Sequence, residues 1–208
     1  MERLNAWGRR LPEAAVWALG AIPLALLVWG TLSNGLGPDP VKAIEHDLGL
    51  WALRFLLASL AITPLRWIGL NLIKHRRPLG LLSFSYAVLH LVAWLWLDMG
   101  LRFGQAAEDL VKRPYIIAGM LGLLALLPLA LTSTRAAIRR MGRNWQRLHR
   151  LAYAALALAV LHFALLLKVW TGEVLIYIAL AGLLLGLRLA RNLRRRGQLA
   201  PQSPRVVG

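Results

Sequence analysis

Asn144 to Phe163 reads NWQRLHRLAYAALALAVLHF. It begins wet and basic, becomes an unbroken run of Ala, Leu and Val, and then sets His162 in the middle of the apolar residues, with His149 at the edge of the same run. A helix at the surface of a soluble domain shows water one polar face. This one is apolar all round, which is how a membrane span reads. The turn KVWTGEV (168–174) follows it and forces the next apolar run into an antiparallel hairpin.

Working outward, runs long enough to cross a bilayer, roughly 20 residues each, lie at about 14–32, 48–68, 79–97, 114–132, 148–170 and 174–190. Pro114 opens the fourth, Lys168 closes the fifth, and Arg188 and Arg191 close the sixth. No strand pattern occurs. The expected fold is all-α: a polytopic bundle of six transmembrane helices, one domain over residues 1–208, with a basic, frayed cytoplasmic tail at 191–208. The first run follows Arg9 and Arg10 like a signal peptide, but no small-x-small cleavage site ends it, so an uncleaved span is expected. Loops are short, and no internal repeat stands out.

Hydrophobic residues make up 58% of the 208, too many for a water-facing domain. The net charge of +16 is distributed by topology. The N-terminus, the second and fourth loops and the tail hold 19 of the 25 Lys and Arg, whereas the first, third and fifth loops hold 7 of the 9 acids. That asymmetry puts both termini in the cytoplasm. The basic face then marks topology and contact with anionic membrane lipid rather than nucleic acid. With no cysteine, iron–sulfur clusters, covalently attached haem, thiolate sites and disulfides are excluded.

Smaller signals fill in the connections. DMGLRFGQAAEDLVKRP (98–114) suits a short interfacial helix. Trp51, Trp67, Trp94, Trp96, Trp145 and Trp170 fall near span ends, as in interfacial belts. Gly182-x-x-x-Gly186 suggests close helix packing.

Five histidines exist, and two lie deep: His90 in the third span and His162 in the fifth. Buried polar groups in a bilayer mark function by default. His162 is six residues from Lys168, about 9 Å of helix, and His90 is eight from Asp98, about 12 Å. Two imidazoles at similar depth on neighbouring helices can sandwich a haem iron. The competing reading is an interhelical hydrogen bonder; the matched depth and the absence of intramembrane Asp or Glu favour haem. Zinc lacks a third ligand. Arg54, basic and inside the second span, suits a clamp on a haem propionate, with snorkelling to the interface as the alternative.

His149 lies about 20 Å below His162, which suits a second site across the membrane, although the two side chains stand roughly 140° apart on an ideal helix. His75 lies at the matching cytoplasmic level, before Pro78 and so outside the helix. His46 reads as a plain surface residue of a periplasmic loop. No G-x-G-x-x-G or P-loop is present, so a redox protein of this shape needs an external donor and acceptor.

Taken together, RFLLASLAITPLR, RRPLGLLSFSYAVLHL, KRPYIIAGMLGLL and LTSTRAAIRRMGRNWQRLHRLAYAALALAVLHF resemble the MsrQ (YedZ) family of haem-binding membrane subunits, in the ferric-reductase-like transmembrane group. The resemblance covers about residues 45–195. It implies an inner-membrane protein with one or two b-type haems, ligated from His90, His149 and His162; His75 matches no family histidine. Electrons would come from the quinone pool or a cytoplasmic flavin reductase. They would pass to a periplasmic molybdopterin-containing methionine sulfoxide reductase that repairs oxidised envelope proteins, the catalytic reduction residing in that partner. FMN is also implied, though no residues here mark a flavin pocket. Two alternatives stand beside this reading: a stand-alone ferric or cupric ion reductase, and a non-redox channel or assembly protein.

Overall fold

The computed structural model describes residues 11–198, and side chains up to Arg194. Within them all regular structure is helical, and six helices are long and apolar enough to cross a membrane. It is a multi-pass membrane protein. The spans are α1 (Glu13–Leu32), α2 (Pro40–Trp67), α3 (Arg76–Ala93), α5 (Pro114–Leu131), α8 (Leu151–Leu166) and α9 (Gly172–Gln198). Between α3 and α5 lies α4 (Phe103–Lys112), the short helix expected in the third loop; α6 (Arg135–Met141) and α7 (Arg143–Leu148) fill the loop before α8.

The second span starts at Pro40, not near residue 48. Asp39 caps it by accepting the Lys42 N–H at 3.1 Å, and Pro40 occupies the first turn, where its missing N–H costs nothing. That same hydrogen bond holds the Asp39 carboxyl below the usual carboxylate range. At the far end of α3 the helix widens into a π-turn over Trp94–Asp98, closed by Met99 N–H on the Trp94 carbonyl at 2.9 Å. A 3-10 turn, Ile73–His75, leads directly into α3, so His75 belongs to the helical run and is buried, contrary to the expectation that Pro78 would leave it outside. The stretch from Arg191 is likewise not frayed at its start, because α9 continues to Gln198; residues 199–208 lie outside the described ones.

Two antiparallel pairs form the frame: α2 against α3, and α5 against α8. On α2 and α3 the bridges recur every seven residues. His90 Nδ1 meets the Glu45 carbonyl (2.8 Å), Ser83 Oγ donates to the Ala52 carbonyl (2.8 Å) and Ser59 Oγ to the Arg76 carbonyl (3.1 Å). In a bilayer no water satisfies such groups, so each bridge also fixes the register. The leucines of α2 (Leu50, Leu53, Leu56, Leu57, Leu60) then pack with Leu126, Ala155 and Leu156 of the second pair and with Val174, Tyr177 and Ala181 of α9.

Helix α1 packs on α3 through an apolar cluster that includes Leu27 and Leu82, and one hydroxyl joins the two. Tyr86 Oη donates to the Gly20 carbonyl (2.7 Å) and accepts the Leu24 N–H (3.0 Å), inserting itself into the α1 ladder beside Pro23. Pro23 lacks the N–H that would reach the Leu19 carbonyl, and in the adjoining step of the ladder the tyrosine partners the Gly20 carbonyl and the Leu24 N–H. Gly182 and Gly186 do not pack as expected: a Cβ at either would meet nothing within 4 Å among the described residues.

Candidate functional site

The frame encloses a cavity of about 790 Å³, entered beside α4 and floored by Leu56, Leu126 and Ala155. His90 and His162 both line it, from α3 and α8. Their ring centroids are 6.0 Å apart and the ring planes cross at 79°. Metal–nitrogen bonds of about 2 Å on each side of one ion would put two such centroids roughly 6 Å apart. The separation fits an iron held between them.

The tautomer of each ring is set by the opposing helix. His90 Nδ1 donates to the Glu45 carbonyl (2.8 Å) and His162 Nδ1 to the Tyr115 carbonyl (2.6 Å). That leaves each Nε2 without its proton and available as a ligand. Both contacts are built alike. Four residues beyond each carbonyl stands a glycine, and the imidazole occupies the space that a side chain would take. A Cβ on Gly49 would lie 3.3 Å from His90 Nδ1 and Cε1; on Gly119 it would lie 2.7 Å from His162 Nδ1. The two helix pairs therefore present two histidines in one repeated arrangement, which the search for a sequence repeat missed.

The other expected residues are not brought to this cavity. Arg54 turns away from it: Nε donates to Tyr177 Oη (2.7 Å), Nη2 lies 3.7 Å from Glu173, and the guanidinium sits over the Trp51 ring. His149 stands where the chain breaks between α7 and α8, so the 140° offset of an ideal helix does not apply to it. Its ring stacks on Trp145 at 3.8 Å, with Nδ1 against the Trp145 carbonyl (3.1 Å) and a further contact to the Leu129 carbonyl at the end of α5. Trp145 itself donates to the Thr132 carbonyl (2.9 Å), so it ties α7 to α5 as well as marking an interface. His75 is buried at the start of α3, outside the cavity lining.

His46 was missed. It lies on α2 rather than in a loop, lines the cavity, and places Nε2 3.9 Å from Glu173 with its ring 6.0 Å from that of Phe163. The signal was available in Asp39-Pro40, a helix start that carries residue 46 into the span. The mouth of the cavity is lined by Lys42, Arg102 and Arg113 and by Glu45, Asp98 and Asp109.

A helical membrane frame with paired, carbonyl-oriented histidines is the architecture of a membrane redox component. Residues 48–160 match the family described as "Ferric reductase like transmembrane component". Three relatives each carry the name protein-methionine-sulfoxide reductase heme-binding subunit MsrQ. The protein of Agrobacterium fabrum is 49% identical over 88% of this chain and 87% of its own length. That of Brucella anthropi is 44% identical over 86% and 83%, and that of Brucella ovis 43% over 88% and 86%. The chain belongs to the MsrQ family. No solved structure matches it.

Proposed function

We propose that this chain is the haem-binding membrane subunit of a protein-methionine-sulfoxide reductase system, a single-domain electron carrier of the bacterial inner membrane with both termini in the cytoplasm. One observation carries the reading: two glycine-cradled histidines, each fixed in the same tautomer by a carbonyl of the facing helix, oppose one another across the cavity. Their Nε2 atoms would hold haem b, which when bound supplies a one-electron carrier. The residues present fit that group. The leucines and alanines of the cavity exclude water, and the carbonyl contacts hold the rings without rotamer search.

The names of the relatives support a sulfoxide reductase as the partner. The molybdopterin centre of that partner, on the periplasmic side, and a quinol or flavin reductase donor on the cytoplasmic side are the finer parts of the proposal. His149, with His75 as the candidate companion, is proposed for a second haem near the cytoplasmic face. FMN rests on the family resemblance alone.

Absorption spectra of the purified protein, oxidised and dithionite-reduced, test the central claim. The wild type should show a bis-imidazole b-type spectrum, and His90→Ala or His162→Ala should remove that site's contribution. Unchanged spectra in both variants would overturn the assignment. Reduction of a co-purified periplasmic sulfoxide reductase, and not of added ferric ions, separates this reading from a stand-alone metal-ion reductase.

A further inference from the structure

The connection between α3 and α5 is amphipathic in an unexpected sense. Arg102, Gln105 and Asp109, at helical spacing across the start and middle of α4, all line the mouth of the cavity. Phe103 and Val111, on other faces of the same helix, are exposed. Arg102 and Gln105 are exposed as well as lining the cavity, so their donors stand between solvent and its apolar interior, where the polar edge of a ligand would meet them.

The charges at the mouth are unequally committed. Arg113 is neutralised by Asp109, with Nε 3.1 Å from its carboxylate, and its Nη1 donates to Tyr115 Oη (3.1 Å). Lys42 is paired with Asp39 at 3.1 Å. Arg102 differs. Among the described residues its side chain makes one hydrogen bond, from Nε to the Met99 carbonyl (2.9 Å), and that carbonyl also accepts the Arg102 backbone N–H (3.1 Å). The contact fixes the base of the guanidinium and leaves both terminal nitrogens for a ligand. The chain enters it through Gly100 and Leu101, both at positive φ (56° and 60°). Leucine rarely adopts that conformation, and it does so here in the turn that delivers Arg102 to the mouth.

We propose that Arg102, with Gln105 one turn further on, holds a haem propionate, the role expected of Arg54 from the sequence. This rests on the haem reading of the His90–His162 cavity. A carboxylate suits it on chemistry: guanidinium donors pair with carboxylate oxygens in charge-assisted, often bidentate bonds, and an amide adds a neutral donor beside them. The porphyrin's apolar body would face Leu56 and Leu126, and its acidic edge would face α4.

The test is haem loss from the full-length protein to excess apomyoglobin. Haem-depleted membranes are loaded with either protohaem or its dimethyl ester, whose carboxylates are blocked. The phase of interest is the one that His90→Ala removes. With protohaem, Arg102→Gln should lose haem roughly tenfold faster than wild type or more, Arg102→Lys should recover part of that retention, and Arg54→Gln should match wild type. With the dimethyl ester, Arg102→Gln and wild type should release at the same rate. Equal acceleration with both porphyrins would make Arg102 a structural residue and overturn the proposal, as would wild-type release of protohaem from Arg102→Gln or a larger effect at Arg54. If His90→Ala removes no haem phase at all, the cavity reading itself has failed, which is a different result.

Discussion

Gly119→Ala is the sharpest probe of the histidine cradle. A Cβ at residue 119 would sit 2.7 Å from His162 Nδ1, 3.0 Å from Cε1 and 3.2 Å from Cγ. Contacts so short cannot be absorbed by a flexible side-chain end, because an aromatic ring moves as one body and this ring is held by the Tyr115 carbonyl at 2.6 Å. The imidazole must swing away, giving up both that hydrogen bond and its alignment with His90. Loss of an orienting contact behind a ligating histidine costs about 10–100-fold in metal affinity, and the overpacking adds about 1–3 kcal/mol of destabilisation. Gly49→Ala meets His90 only at 3.3 Å, so a shift of a few tenths of an ångström relieves it and the loss should be smaller. Gly122→Ala, whose nearest neighbour is Leu158 Cβ at 3.5 Å, should behave as wild type. Haem titration of each apoprotein, with circular dichroism to confirm helicity, ranks the three. Wild-type haem affinity in Gly119→Ala, or a larger loss at Gly122 than at Gly119, would refute the cradle argument.

Orientation is tested by fusions: alkaline phosphatase placed after Arg140 should be inactive and near Asp39 active, and the reverse pattern would sink both the topology and the direction of electron flow. Haem counted per protein should fall in His149→Ala while the His90–His162 spectrum persists; full content and undiminished quinol-driven turnover would make His149 a cap on the end of α5, and a fall in His75→Ala would identify its companion. Tyr86→Phe leaves the Gly20 carbonyl and Leu24 N–H without their shared partner. It should cost about 1–3 kcal/mol, read as a lower melting temperature in detergent, and an unchanged melting temperature would mean that the opened α1 turn satisfies itself.

The six spans were legible because a bilayer imposes length and apolarity on each one separately, so one segment can be read without its neighbours. The depth match of His90 and His162 followed for the same reason, since rise per residue is local. Angular position is not local. Arg54 and His162 lie at comparable depth, yet Arg54 faces Tyr177 of α9 and not the cavity, and only the packing of α2 against α9 decides that. His46 was placed in a loop because its neighbours Lys42, Glu45 and Asp47 read as loop, although they decorate the first turns of a capped helix. The turn before Arg102 was hidden because a leucine at positive φ leaves no mark in a sequence.

What the separate spans could not show is that the site is built twice by one rule. In each pair the carbonyl of residue i on one helix, the glycine at i+4 and a histidine on the antiparallel partner form a unit: Glu45, Gly49 and His90, then Tyr115, Gly119 and His162. The glycine lets the ring approach the backbone, and the carbonyl then chooses which nitrogen keeps the proton. The two elements act together, since an alanine would push the ring away, strongly at 119 and slightly at 49, and a ring beyond reach of the carbonyl would be free to adopt either tautomer. Each histidine closes the same tetrapeptide, Ala-Val-Leu-His (87–90 and 159–162), but around the two glycines residues 45–50 and 115–120 share nothing except the glycine itself, so the repeat is only half written in the sequence. The constraint falls on a backbone oxygen, an absent side chain and one imidazole, and only the last two are written in the residue types.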